Sequence, residues 1–226
     1  MRKKYRTEEE KDGLLRIIAL RDFSDVKKGD RGGLISQESN LSQEGDCWVY
    51  GDARVIDNAQ VLENAKVYED AYVFDNAEIC GNAKVYGYAK VYDNAQVYGN
   101  AKVYEGADIR SHAMIFENAI VRGDARVYDN AQVYGNAKIY GSWIEIYGNA
   151  EICGNTKIWA TTRSCIADSI KNNKDCIMLV AYNRKWLRVF SSNTKITKYN
   201  SGLFTVTALD YLKNIQIIRQ IYGEEI

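Results

Sequence analysis

A repeat of six residues constrains this chain more than any other feature. Over residues 49–139 every sixth residue is Val or Ile, and over 53–137 an alanine stands two residues before each of them. One extra residue enters near 141–144, after which the register resumes at Ile146, Ile152 and Ile158. So long and regular a period points to a repeat architecture, in which each unit is stabilised by its neighbours.

The period indicates short strands joined by corners. At 3.6 residues per turn, a six-residue step would scatter the branched residues around an α-helix. Val and Ile favour extended backbone, and the Ala-x-Val alternation directs both apolar side chains to one side of a strand. The next two residues are mostly Gly, Asp or Glu and then Asn or Asp, which suit a sharp bend. Three such units predict a triangular coil of eighteen residues with Val and Ala inside.

The pattern resembles the left-handed parallel β-helix of the hexapeptide-repeat proteins, in which aliphatic and small residues recur at fixed spacing. The resemblance covers roughly residues 47–160, and the left hand of the coil is implied by the resemblance alone. Residues 14–53 further resemble the N-terminal segment of a bacterial and phage subgroup, whose members are labelled transferases or polymer-forming proteins. The expected fold is an all-β solenoid of nineteen hexads, or about six coils.

We expect the chain to have three parts. Residues 1–46 should form an N-terminal β cap, because the open end of a stack exposes unpaired strand edges. Residues 47–166 should form the β-helix. Residues 167–226 abandon the period and predict a small α+β domain that caps or flanks the prism. Within it we expect strands at 176–182, 185–191 and 203–207 and a helix from Thr207 to Gly223.

Side chains beside each inward Val or Ile should point to solvent, and positions eighteen residues apart should stack into ladders. Three outward faces follow. Face 1 consists of Trp48, Tyr50, Lys66, Tyr68, Lys84, Tyr86, Lys102, Tyr104, Ile120, Arg122, Lys138, Tyr140 and Trp159. Face 2 consists of Arg54, Ile56, Tyr72, Phe74, Lys90, Tyr92, Asp108, Arg110, Arg126 and Tyr128. Face 3 consists of Gln60, Leu62, Glu78, Cys80, Gln96, Tyr98, Met114, Phe116, Gln132 and Tyr134.

The density of tyrosine on these faces has two interpretations. The rings can simply cover one another across coils, as in any sheet. Alternatively, an aromatic face marks an interface, and the resemblance implies trimers packed along their prisms. Lysines beside rings also suit a nucleotide-like anion held between two prisms. The alternative is a solvated lysine row that keeps the sheet soluble. The residues predicted to bind a ligand or partner are Lys66, Tyr68, Lys84, Tyr86, Lys102, Tyr104, Arg122 and Tyr140.

One corner is expected to stack four aspartates, with a serine filling the gap in the column. The members are Asp57, Asp75, Asp93, Ser111 and Asp129. An acidic column can mimic a phosphate backbone or hold a cation. Corner carboxylates more often accept hydrogen bonds from nearby backbone amides.

The enzyme hypothesis depends on His112, the single histidine of the chain. The resemblance implies acyltransferases that use one histidine as general base at a subunit boundary. His112 stands at a corner position that usually holds Asn or Asp, and a histidine tolerated in a bent backbone is the alternative. No long loop over 49–139 is available to cover an acyl donor. The carbonic anhydrases of this fold bind zinc through three histidines, so we expect no zinc site.

Composition narrows the remaining functional classes and the compartment in which the protein is expected. Thirty basic and thirty acidic residues cancel, so overall charge predicts neither a nucleic-acid nor a membrane partner. The apolar run at 176–182 is too short to span a bilayer, and the N-terminus lacks a signal-peptide core. Five cysteines without CxxC spacing fit reduced thiols, and Cys80 and Cys153 share an outward position on one face. We expect a cytoplasmic protein without a cofactor.

These observations favour a non-enzymatic β-helix scaffold that self-associates, with a trimer preferred. Its partner would be a host protein or a nucleotide-like anion. The subgroup resemblance points to a phage or mobile-element gene, and by analogy of fold to a factor that counters host defence in the host cytoplasm. The alternative is a CoA-dependent acyltransferase that uses His112.

Overall fold

The computed structural model describes residues 3–160 and the backbone of four further strands, at 164–166, 170–172, 177–182 and 185–189. Over these residues the chain is an all-β parallel solenoid of about seven turns. The predicted strand at 203–207 and the predicted helix that follows it lie outside the described residues.

Each side of the coil is a sheet, and the three outward faces are the outer surfaces of these sheets. The sheet of face 1 contains Trp48–Val49, Lys66–Val67, Lys84–Val85, Lys102–Val103, Ile120–Val121, Lys138–Gly141, Lys157–Ala160, Ile177–Tyr182 and Lys185–Val189. The sheet of face 2 contains Tyr5–Glu9, Leu15–Ala19, Arg31–Ile35, Arg54–Val55, Tyr72–Val73, Lys90–Val91, Asp108–Ile109, Arg126–Val127, Ile144–Ile146 and Ser164–Ile166. The sheet of face 3 contains Gln60–Val61, Glu78–Ile79, Gln96–Val97, Met114–Ile115, Gln132–Val133, Glu151–Gly154 and Ile170–Asn172.

Strand pairing confirms the eighteen-residue coil. Lys84 lies opposite Lys102 and Val85 opposite Val103, in parallel. After the extra residue near 141–144 the offset becomes nineteen, because Arg126 pairs with Glu145. The stack is longer than the hexads alone indicate, since 31–35 pairs in parallel with 54–55 at one end and 177–182 with 157–160 at the other.

The interior confirms the predicted core. The Val and Ile positions from Val49 to Ile139 have no solvent exposure, and the alanines from Ala53 to Ala137 are exposed by at most 1%. Each buried Val or Ile contributes on the order of 1.5–3 kcal/mol of transfer free energy. The alanines two residues earlier point to the same side and complete the interior. The register resumes after the extra residue, with Ile144, Ala150 and Thr156 fully buried as well.

The N-terminal segment is built differently. Tyr5–Glu9, Leu15–Ala19 and Arg31–Ile35 form an antiparallel meander at the end of the face 2 sheet, followed by a 3₁₀ helix at Glu38–Asn40. The meander packs against the first turn. The rings of Tyr5 and Phe23 meet the indole of Trp48 edge-on, at centroid distances of 6.1 and 5.4 Å.

Trp48 corrects the predicted outline of face 1. It has the same phase as Lys66 and Lys84 and was expected to face solvent, yet it is only 1% exposed. The N-terminal segment covers it, and in the same segment the ammonium of Lys4 donates hydrogen bonds to the carbonyls of Glu44 and Cys47. The strand period fixes which way a side chain points, but a long-range contact decides whether it is exposed.

Candidate interaction face

The tyrosines of face 1 form a stacked ladder. The rings of Tyr68 and Tyr86 lie 4.6 Å apart and 6° from parallel, and those of Tyr86 and Tyr104 lie 4.6 Å apart and 3° from parallel. The separation is close to the ~4.8 Å spacing of hydrogen-bonded strands, so the backbone sets it. The cross-coil stacking interpretation is therefore confirmed for these rings.

Arg122 occupies the next level of the ladder. Its guanidinium carbon lies 5.8 Å from the centre of the Tyr104 ring and 4.7 Å from that of Tyr140. Nη1 also donates a hydrogen bond to Oε1 of Glu105 at 3.1 Å. The flat cation thus takes the place of a ring and is held by two aromatic faces and one carboxylate.

The lysine row beside the rings is the most polar part of face 1. Lys84 and Lys102 are exposed and lie directly opposite each other in the sheet. No carboxylate of the described residues forms an ion pair with either of them. Two like charges at adjacent levels repel, so this part of the surface favours an anionic partner.

Lys66, at the first level, is already engaged. Its ammonium forms an ion pair with Asp25 of the N-terminal segment and lies 5.7 Å from the centre of the Tyr50 ring. The Tyr50 hydroxyl donates a 2.9 Å hydrogen bond to the same carboxylate. The hydrogen bond from Lys66, followed by that from Tyr50, lowers the pKa of Asp25 to about 2. The N-terminal segment therefore engages the first level of face 1.

Burial changes the acidity of the stacked phenols. It raises the pKa of Tyr68 to about 12, and it is the first cause of the raised pKa of Tyr86 and Tyr104. The phenols consequently stay protonated at physiological pH. They can offer a hydroxyl hydrogen to a partner's oxygen, and they do not oppose the positive charge of the lysine row.

Faces 2 and 3 carry ladders of the same kind. On face 2, Phe74 and Tyr92 stack at 4.6 Å, and the guanidinium of Arg110 lies 4.8 Å from the centre of the Tyr128 ring. On face 3 the centroid separations are 4.9 Å for Tyr98 and Phe116 and 4.8 Å for Phe116 and Tyr134. Ring stacking is thus common to all three sides and does not by itself single out a binding face.

Charge does distinguish the faces. The charged outward side chains on the face 1 strands are all cations from Lys66 to Lys157. Face 2 mixes both signs, with Lys90 and Arg126 beside Asp108. Face 3 carries Glu78, and Glu151 in a later turn, and no cation on its strands from Gln60–Val61 to Glu151–Gly154.

The acidic corner uses its carboxylates locally, as the backbone-bonding interpretation predicted. Oδ2 of Asp93 accepts a hydrogen bond from the backbone N–H of Ser111 at 2.9 Å, and Oδ2 of Asp129 accepts one from Gly148 at 3.0 Å. Both aspartates have positive φ, at 57° and 58°. Each carboxylate therefore stabilises the corner of the following turn.

His112 lies beside this corner, in a shallow groove of about 670 Å³ that also includes Asp93, Asn94 and Asp129. The left-handed residue of its turn is Ser111, with φ of 58°, and not His112. His112 thus stands in a bent backbone, as the alternative to catalysis expected, without itself taking the left-handed conformation. Among the described residues no side chain forms a hydrogen bond with the His112 ring, so no group that would orient a general base is present there.

The histidine also interrupts a ladder of asparagine amides. At the neighbouring corner the amides run unbroken through six turns, with N···O distances of 3.1–3.2 Å, over Asn64, Asn82, Asn100, Asn118, Asn136 and Asn155. At the His112 corner, Asn76 bonds to Asn94 at 3.4 Å, and the ladder resumes only with Asn130 and Asn149 at 3.3 Å. His112 thus replaces one rung.

The described residues were also compared with the requirements of a membrane span, a metal site and a reactive thiol. Within the part of the chain that the structure describes, no helix is long and apolar enough to cross a membrane. No group of three or more His, Cys, Asp or Glu in that part could hold a metal ion. Cys47, Cys80 and Cys153 are free thiols. Burial, reinforced by Glu78, raises the pKa of Cys80 to about 12, so this thiol is a poor nucleophile at neutral pH.

The sequence matches no protein-family model. A search of curated proteins likewise finds no similar sequence. Function must therefore be inferred from the geometry of the chain itself.

Proposed function

We propose that this protein is a non-enzymatic, self-associating scaffold that binds an anionic partner through face 1. The observation that carries the proposal is the lysine row: Lys84 and Lys102 are exposed, adjacent and without a described counter-ion, beside Tyr86 and Tyr104. A surface built only for solubility would intersperse both signs. A row of one sign flanked by phenols instead suits a partner that brings carboxylates or phosphates.

The ring geometry favours certain partners over others. A base that stacks on a protein ring needs a free ring face. Tyr86 has Tyr68 on one face and Tyr104 on the other, at 4.6 Å each. Only the ring edge and the hydroxyl remain for a partner, so face 1 is better suited to an acidic protein surface, or to the phosphates of a nucleotide, than to its base.

The sequence resemblance gives the biological setting of the proposal. The hexapeptide pattern supports a left-handed coil and a homotrimer packed along its prisms. The subgroup resemblance of 14–53 supports a phage or mobile-element gene. On that basis the scaffold would bind a host protein, or sequester a nucleotide-like anion, to counter a host defence in the cytoplasm.

The test uses the full chain in three steps. Light scattering gives the oligomeric state, and mass spectrometry of molecules released by heating shows whether a small anion co-purifies. Binding to the bacterial host's proteins is then compared for the wild type, Lys84→Ala/Lys102→Ala, and the face 2 control Lys90→Ala. We expect the double variant to lose at least tenfold in affinity and the control to match the wild type. A wild-type protein that is monomeric and retains neither an anion nor a partner would refute the proposal.

The alternative is a CoA-dependent acyltransferase, for which the groove of about 670 Å³ at His112 is the favouring observation. It predicts that the wild type binds acetyl-CoA and acetylates an amine or sugar acceptor. His112→Ala would then keep affinity for CoA and lose turnover. A wild type without measurable affinity for CoA would eliminate this alternative and leave the scaffold.

A further inference from the structure

We infer that the partner of face 1 is face 3 of a second copy of this chain, so that the prisms pack side by side through two different faces. The inference rests on the self-association in the proposed function and names the two surfaces that meet. Cations are the only charged groups on the outward strand positions of face 1, and the face 3 strands from Gln60–Val61 to Glu151–Gly154 supply carboxylates and amides without a cation. The two faces are thus complementary in charge.

The match extends along the prism, level by level. In copies related by rotation about an axis parallel to the prism, each face 1 side chain lies nearest the neighbour's face 3 side chain that is six residues earlier. The difference in height is only a third of a coil, or about 1.6 Å. The resulting pairs are Lys84 with Glu78, Lys102 with Gln96, and Ile120 with Met114.

The apolar residue Ile120 on face 1 has an apolar counterpart on face 3. It interrupts the lysine row on face 1, and Met114 interrupts the polar row on face 3 at the corresponding level. The outward residues that follow each inward Val or Ile are matched in the same way. Arg122 would meet the ring of Phe116, and the ring of Tyr104 would meet that of Tyr98. An apolar side chain opposite another and a cation opposite a ring are both favourable pairings.

The other pairings that include face 1 bring like charges together. Face 1 against face 2 would place Lys102 beside Asp108, but it would also place Lys84 beside Lys90 and Ile120 beside Arg126. Face 1 against itself would bring two lysine rows together. Of the pairings that include face 1, the contact with face 3 alone opposes no like charges over residues 48–160. Because the two surfaces differ, the contact is heterologous, and repetition around an axis closes a ring.

Charge exchange tests the inference. Lys84→Glu and Glu78→Lys should each weaken association at least tenfold, as measured by analytical ultracentrifugation at low ionic strength. Combining the two in one chain makes face 1 acidic and face 3 basic at that level, and should restore assembly. Lys90→Glu on face 2 is the matched control and should associate like the wild type. Circular dichroism verifies that each variant is folded.

The outcomes separate this inference from the proposed function. A monomeric wild type would overturn both self-association and the face pairing. An oligomer that tolerates Lys84→Glu and Glu78→Lys, or that the double variant does not restore, would overturn the pairing alone. In that case, loss of a co-purifying anion in Lys84→Ala/Lys102→Ala would assign face 1 to a small ligand. Mixing Lys84→Glu with Glu78→Lys chains should also give strictly alternating assemblies, which close only with an even number of copies.

Discussion

The guanidinium of Arg122 lies 4.7 Å from the centre of the Tyr140 ring, at the level where a tyrosine stands in earlier turns. A partly exposed cation–π contact contributes about 0.5–1 kcal/mol, and Arg122 makes two of them. We therefore expect Arg122→Ala to lower the free energy of unfolding by about 1–2 kcal/mol. Arg122→Tyr should stay near the wild type, since a ring restores the ladder. Urea denaturation measures both, and an equal loss in Lys102→Ala would show that the ladder adds nothing specific.

Replacing His112 with asparagine should stabilise the protein. The new amide would complete the ladder between Asn94 and Asn130 and add up to two exposed hydrogen bonds, for a gain of about 0.5–1 kcal/mol. The reciprocal change, Asn100→His, should cost a similar amount, because it breaks the bonds to Asn82 and Asn118. Thermal denaturation compares the two. A wild type that is more stable than His112→Asn would contradict the ladder explanation.

The aliphatic column should be the most sensitive part of the chain. Val103 is fully buried, and Val103→Ala removes two methyl groups from a packed interior, so we expect a loss of about 2 kcal/mol. The adjacent outward residue provides the control, since Lys102→Ala removes an exposed side chain and should change stability by less than about 0.5 kcal/mol. Equal effects in chemical denaturation would contradict the assignment of Val103 to the interior and of Lys102 to the surface.

The contact between Asp25 and Lys66 predicts a pH dependence. The pKa of Asp25 falls from 3.8 to about 2 in the folded chain, so the unfolded chain binds this proton more readily. The contribution of the ionised Asp25 to the free energy of unfolding is complete above pH 3.8 and disappears as the pH falls through about 2. NMR titration of the carboxyl carbon should give the low value. Lys66→Met should raise it towards 3.8, whereas Lys84→Met should leave it unchanged.

The sequence was sufficient to predict the solenoid, because every inward position is determined by a local rule. Val and Ile favour a strand, the alanine two residues earlier points to the same side, and the six-residue step decides which side faces in. The buried state of Val49 to Ile139 confirms this rule residue by residue. Strand 177–182 was likewise expected from its composition, although its place on the face 1 sheet was not.

Contacts between distant parts of the chain escaped the same reasoning. Trp48 has an outward phase but is buried, and Lys66 is neutralised by Asp25, forty-one residues away. Both depend on how the N-terminal meander folds back on the first turn, for which the hexad period gives no information. Local geometry also limited the interpretation of His112, because the sequence does not show which of two corner residues takes the left-handed conformation.

The change of pairing offset from eighteen to nineteen shows how the gene for such a chain can vary. A single added residue is absorbed at the corner near Trp143, whose side chain is 53% exposed, and the downstream faces stay in phase. Duplicating one whole coil would lengthen the prism without moving any ladder. Duplicating one hexad would instead rotate all later residues by one side, so that the cationic row would continue on a different flank. Growth by recombination is therefore expected in whole coils only.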